Sequence, residues 1–269
     1  MINFLILILI LILIFSLVII IFYDYENFID IKDSNLTEEI NKIYYINLDR
    51  RPERNEHFLN SIKKFNFKKE KIVRFKAIDG LTYNFSDEEK QMFINADFIN
   101  TDAEFKIMGN QLSHYYILKD MISNNYNYIL IFQDDVVFID NFNEEINNLI
   151  NNIPEDAEII NFGFHKVASL SYFEGIDLNN NNENIVDAKE IINNHICKLP
   201  DYVNPCSLSY LVTLKGAKNL IEYFGEVGFL KATDWNYNDY LMKKDINYGS
   251  IKALCTGNSS FKSDIFSEN

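Results

Sequence analysis

Apolar positions along the chain fall into three regimes. From Ile2 to Phe22 they are almost continuous, broken only by Asn3 and Ser16. From Tyr23 to Asn41 the chain is polar. Beyond that, apolar runs of strand length alternate with segments whose apolar residues recur every three or four positions. A helix of about 20 apolar residues spans a bilayer core of roughly 30 Å. The first run is longer than the roughly 7–15 residues of a signal-peptide core, and Phe22-Tyr23-Asp24-Tyr25 offers no small-residue cleavage site. With no polar face anywhere along it, the run fits a buried core helix poorly. Residues 2–22 are therefore read as an uncleaved transmembrane anchor, 23–41 as a stem and 42–269 as the folded domain.

Within that domain, Lys42–Leu48 is rich in β-branched and aromatic residues and predicts a buried strand. Pro52 suits a first helical turn, and Phe58, Ile62 and Phe65 then share one helical face. Ile72–Phe75 predicts a second strand, closed by the turn pair Asp79-Gly80. Ser86 to Glu89 has the spacing of a capping box, and Gly109 is read as opening a helix that runs to Ser123. Tyr128–Phe132 is the clearest strand in the chain. A helix over Phe142–Asn152, a strand over Ile159–Phe164 and a low-complexity loop at Asn179–Asn184 follow. The remainder predicts strand Leu208–Leu214, helices Gly216–Phe224 and Trp235–Lys243, and strand Ile246–Leu254. Strands alternating with helices predict an α/β fold, one sheet covered on both faces, without internal repeats or a second domain boundary.

Charge narrows the ligand class. A formal net charge of -14 argues against nucleic acid, which requires a basic face. A nucleotide-sugar is compatible, because one metal ion and a few local cations hold two phosphates within an acidic protein. No Lys or Arg flanks the anchor closely and Asp24, Glu26 and Asp30 follow it, so the positive-inside rule has little to act on. The domain is expected on the lumenal or extracytoplasmic side of a single-pass membrane protein. Cys197 and Cys206 either close a short loop in an oxidising lumen or remain buried thiols; with Cys255 the count is odd. Sequons at Asn35, Asn84 and Asn258 fit a lumenal domain, though so Asn-rich a chain generates some by chance.

In open α/β sheets ligands bind beyond the carboxyl ends of the strands, and two such ends carry charge here. The first strand runs into Asp49-Arg50-Arg51-Pro52-Glu53-Arg54, the central one into Gln133-Asp134-Asp135. Adjacent carboxylates repel unless a cation offsets them, and Mg²⁺ or Mn²⁺ suits that oxygen-rich setting when phosphate oxygens complete its shell. A solvated acidic turn fits the same residues. Three arginines within five positions either grip a diphosphate or open a solvated helix; basic side chains in a first turn oppose the macrodipole, which favours the ligand.

Tyr45-Ile46-Asn47-Leu48-Asp49-Arg50-Arg51-Pro52-Glu53-Arg54 resembles the opening motif of glycosyltransferase family 25, which includes lipooligosaccharide and collagen galactosyltransferases. The resemblance continues in order through Arg74–Gly80, Gly109–His114, Ile129–Val136, Tyr210–Ala217 and Thr233-Asp234-Trp235. It implies a GT-A-like (Rossmann-like) nucleotide-sugar-binding sheet, a UDP-sugar donor, Mn²⁺ and inversion at the anomeric carbon. The acceptor it implies is a glycan, a lipooligosaccharide or a collagen-like protein. Position by position, Asp134 and Asp135 match the acidic metal motif, with Asp134 also facing the donor. Gln133 stands where the family usually has Glu. Asp49, Arg50, Arg51 and His114 are the expected donor contacts, although a lone His is often structural. Inversion requires a base for the acceptor hydroxyl, and Asp234 suits it. Trp235 either packs on a sugar ring or fills the core.

Overall fold

The computed structural model of the chain describes residues 38–164, 186, 188–201 and 206–265. The expected anchor, most of the stem and the Asn179–Asn184 loop lie outside the described residues. Among those described, no helix is long and apolar enough to cross a membrane.

The described strands are β1 (Ile40–Asn47), β2 (Ile72–Lys76), β3 (Tyr128–Gln133), β4 (Val136–Phe138) and β5 (Ile159–Asn161). They continue with β6 (Glu190–Ile191), β7 (Ile196–Lys198), β8 (Ser209–Thr213), β9 (Tyr248–Ser250) and β10 (Cys255–Gly257). The helices are α1 (Pro52–Ile62), α2 (Asp87–Gln91), α3 (Glu104–Ser123), α4 (Phe142–Ile150), α5 (Leu214–Val227) and α6 (Thr233–Lys243). Eight strands form one mixed sheet in the order β2-β1-β3-β8-β5-β9-β7-β6. β2, β1 and β3 are parallel, so their carboxyl ends share one edge; β8 runs antiparallel between β3 and β5.

Helices cover both faces, and two consecutive residues of β1 demonstrate it. Side chains alternate along a strand. Tyr44 donates to Asp120 of α3 on one face, while Tyr45 donates to Asn55 of α1 at 2.8 Å on the other. Beneath α1, Phe58 stacks on Tyr45 with ring centroids 4.2 Å apart, and Phe132, Phe138, Phe142 and Phe162 continue an aromatic layer.

The capping box at Ser86 is present: its hydroxyl accepts from Glu89 N at 3.1 Å, and the Glu89 carboxylate accepts from Ser86 N at 2.7 Å. Three expectations change. The third helix begins at Glu104, not Gly109, which lies inside it. A Cβ on Gly109 would collide with the Ile78 carbonyl, so this glycine admits the 78–80 loop rather than starting a helix. The strand expected over Ile246–Leu254 is two: β9 in the main sheet and β10, which leaves it to pair antiparallel with β4. Likewise β5 ends at Asn161, and Gly163 only bridges to Cys255. Of the two states left open for Cys197, the structure shows the buried free thiol, and burial pushes its pKa up to about 12.

Candidate active site

The site grows out of a shared register. Residues two apart on a strand lie on one face, as do residues four apart on a helix. Phe132 and Asp134 therefore face α1 together, and α1 presents Phe58 and Arg54 together. Phe58 packs on Phe132, and one step further along each element Arg54 meets Asp134. β1 repeats the step: Tyr45 lies against Phe58, and two residues on, Asn47 Nδ2 donates to Asp134 Oδ2 at 2.6 Å and to the Arg51 carbonyl at 3.0 Å.

Arg54 is the hub. Its Nε lies 2.8 Å from Asp134 Oδ1, its Nη2 pairs with Asp135 Oδ2, and its Nη1 donates to Asp264 Oδ2 at 2.8 Å. The Arg54 side chain is 7% exposed, so these are interactions at low dielectric. Burial alone would lower its pKa; Asp135, Asp134 and Asp264 together outweigh that and raise it. At Asp134 the balance is reversed, burial winning: it raises the pKa to about 6 against the lowering effects of Arg54 and the Asn47 hydrogen bond. The cation offsetting the two adjacent carboxylates is thus Arg54, a protein group that sequence reasoning had grouped with the donor-gripping arginines. Its signal was present: Arg54, Phe58 and Ile62 form the buried stripe of α1, so a charge occupies an apolar row.

Arg50 and Arg51 join this cluster through Asp264, whose Oδ1 accepts from Arg50 Nη1 at 2.6 Å and from Arg51 Nη1 at 3.4 Å. Arg50 Nε also donates to Asp79 at 2.7 Å, and Arg51 Nε lies 2.7 Å from Glu53. Asp264 was missed from sequence, since it lies in a polar, serine-rich stretch with no motif around it, far along the chain from the arginines. It arrives because β10 pairs with β4, the strand directly after Asp135, and Asn258 N extends that ladder to the Asp135 carbonyl at 2.8 Å.

The other expected site residues make no contact with Arg54 in the interactions described. Asp49 turns to β2, accepting from Arg74 at 2.8 Å and pairing with Lys76 at 2.7 Å; both hydrogen bonds hold its carboxyl below the usual range. Gln133 donates its amide to Ser207 at 3.0 Å, toward β8 and not Arg54. Asp234 occupies the first turn of α6, where the neighbouring Thr233 hydroxyl donates to Asn110 of α3 at 2.7 Å. Trp235 is 43% exposed, which removes the core-filling reading; Lys231 Nζ lies 5.9 Å from its ring centroid.

His114 is corrected outright. It is fully buried on α3, its Nδ1 2.5 Å from the Tyr210 hydroxyl and its ring stacked on that residue, so it offers a donor no surface. Desolvation lowers its pKa to about 3. An unfolded chain protonates this His near 6.5 whereas the folded one does not, so its contribution to stability is complete above 6.5 and lost as pH falls toward 3. Urea unfolding at pH 7, 5.5 and 4.5 is expected to show the advantage of wild type over His114→Gln shrinking by about 1.4 kcal/mol per pH unit. A difference that does not vary with pH would mean His114 titrates normally.

For a divalent metal the residues fit in a limited way. Asp134 has both oxygens engaged, by Arg54 and Asn47, and Asp264 is engaged by three arginines. Asp135 differs: Oδ2 is held by Arg54, while Oδ1 is buried without a hydrogen-bond partner among the described residues. Among those residues no group of three or more potential ligands is preassembled. A cation here would take one protein oxygen and draw the rest of its shell from phosphate and water, as small hard cations do.

The profile described as Glycosyltransferase family 25 (LPS biosynthesis protein) matches residues 40–242, from the first residue of β1 into the last turn of α6. A "Glycosyltransferase 25 family member" from Aedes aegypti is 28% identical over 191 residues, covering 68% of this chain and 28% of that relative. The chain thus spans little more than a quarter of that relative's length. Among solved structures, apo mouse xyloside xylosyltransferase 1 superposes with a TM-score of 0.37 at 9% identity, over 76% of this chain and 82% of that one, too distant to carry an argument. With the profile match holding the arginine motif, the Asp134-Asp135 strand end and Thr233-Asp234-Trp235 within one span, the chain belongs to glycosyltransferase family 25.

Proposed function

We propose that this chain is a metal-dependent, inverting glycosyltransferase that moves galactose or glucose from a UDP-sugar to a glycan or protein acceptor. The observation carrying this reading is the unpartnered Asp135 Oδ1 at the carboxyl end of β3, beside three arginines. Asp135 would hold a Mn²⁺ ion there, which would supply positive charge to offset that developing on the departing diphosphate. Arg50 and Arg51 orient that diphosphate with their guanidinium forks. Asp134 does not ligate in this reading; held by Arg54 and Asn47, it fixes the strand end that aims Asp135. The acceptor hydroxyl attacks the anomeric carbon as the bond to UDP breaks, and its proton passes to Asp234. Exposed Trp235, next in sequence, offers an apolar face to the acceptor sugar. Residues 2–22 hold the domain to the membrane, with the site on the lumenal or extracytoplasmic side.

UDP release measured across several UDP-sugars, with and without Mn²⁺ and acceptor, tests this. Release that needs both metal and acceptor is the expected result. UDP binding without turnover of any donor would instead favour a non-catalytic nucleotide- or glycan-binding relative. Gln133, standing in place of an acidic residue and turned to Ser207, speaks for that second reading.

A further inference from the structure

The segment 258–265 lies beyond the family match yet reaches into the arginine cluster. It leaves β10 through a turn in which the Asn258 side chain accepts from Ser260 N at 3.0 Å and Ser260 Oγ at 2.7 Å. Phe261 then sits 5.5 Å from the Arg54 guanidinium and edge-on to His57, with centroids 5.2 Å apart. Three residues later the Asp264 carboxylate accepts from the Nη1 groups of Arg50, Arg51 and Arg54 at once, and Lys106 of α3 donates to the Ile265 carbonyl at 3.4 Å.

One carboxylate meeting three guanidinium ends is the arrangement a phosphate group would make with the same arginines. Charge makes the overlap consequential. Three arginines face Glu53, Asp79, Asp134, Asp135 and Asp264, so the cluster already carries a surplus of two negative charges. A diphosphate adds two more, which one divalent cation offsets. Two negative charges then remain, and displacing Asp264 removes one of them. The segment is also lightly fastened: Ser260, Lys262 and Ser263 are exposed, and Phe261 is half-buried, so its docking rests chiefly on these ionic contacts.

We propose that residues 258–265 form a strap whose Asp264 carboxylate competes with the donor diphosphate for the Nη1 groups of Arg50, Arg51 and Arg54, so that nucleotide binding lifts the strap. This rests on the donor site proposed above.

Calorimetric titration of the full chain with UDP, for wild type and Asp264→Asn, reads the competition directly. Asp264→Asn keeps the shape and removes the charge, and is expected to tighten UDP binding by at least about fivefold, the lower end of a typical coupling between exclusive occupants. A second readout uses wild type alone. Trypsin cleavage after exposed Lys262, followed by mass spectrometry, is expected to accelerate when UDP is added. Equal or weaker UDP affinity in Asp264→Asn overturns the strap while leaving the donor site standing, as does protection of Lys262 by UDP. If neither protein binds UDP, the donor reading fails and the strap fails with it.

Discussion

If the proposed metal site is right, Asp135→Asn reduces Mn²⁺-dependent transfer on the order of a thousandfold or more, because a directly ligated carboxylate would share in several kcal/mol of charge stabilisation. Asparagine matches the side chain in size and can still present an oxygen, but it lacks the charge that attracts a hard cation. Raising Mn²⁺ should therefore rescue the variant poorly. The fold should persist, since Arg54 retains Asp134 and Asp264 as partners. Initial rates across a Mn²⁺ series, read beside a thermal melt, separate the outcomes. Wild-type metal dependence in the variant would remove Asp135 from the metal site. An unfolded variant would make its carboxylate structural instead.

Arg54→Met should act first on stability. Methionine fills much of the same space on the buried face of α1, yet it leaves Asp134, Asp135 and Asp264 confronting one another without their common counter-charge. Removing one member of a buried ionic group typically costs about 3–5 kcal/mol. The direction with pH is also fixed. Without Arg54 the carboxyl groups hold protons more tightly in the folded protein than in the unfolded chain. Acid then relieves their repulsion, and the deficit should shrink as pH falls from neutral. Urea unfolding of both proteins at pH 7.5 and pH 5 measures this. A variant as stable as wild type at pH 7.5 would show that the carboxylates do not depend on Arg54.

The frame was legible where the pattern was local. Continuous runs of β-branched and aromatic residues found β1 and β3, helical spacing found α1 and α4 closely, and the sequence Ser86 to Glu89 carried its own cap. The acidic strand end was visible because two charges follow five apolar residues. Errors arose where tertiary contacts overrode local signals. α3 buries Gln111, Ser113 and His114 as well as its apolar residues, so it has no polar face to phase it, and its start was misread at Gly109. His114 looked available because motif position says nothing about depth. Arg54 and Asp264 are 210 residues apart, and only the pairing of β10 with β4 brings them together. Arg54 itself was read as one of three similar arginines; its row with Phe58 and Ile62 sets it apart, and that distinction matters only once Asp134 is known to share a row with Phe132.

Those paired rows tie the chemistry to the thickness of the core. The separation between α1 and the sheet is set by the rings of Tyr45, Phe58 and Phe132, and the reach from Arg54 to Asp134 begins from the same two backbones. Phe58 therefore works as a spacer: its ring holds the helix at the height from which a guanidinium bridges both aspartates. Shrinking it would let α1 settle and tilt the bridge, though no charged atom had changed. An apolar substitution one helical turn below the arginines thus belongs with the substitutions that alter the geometry of the arginine cluster, and its effect need not appear as lost stability alone.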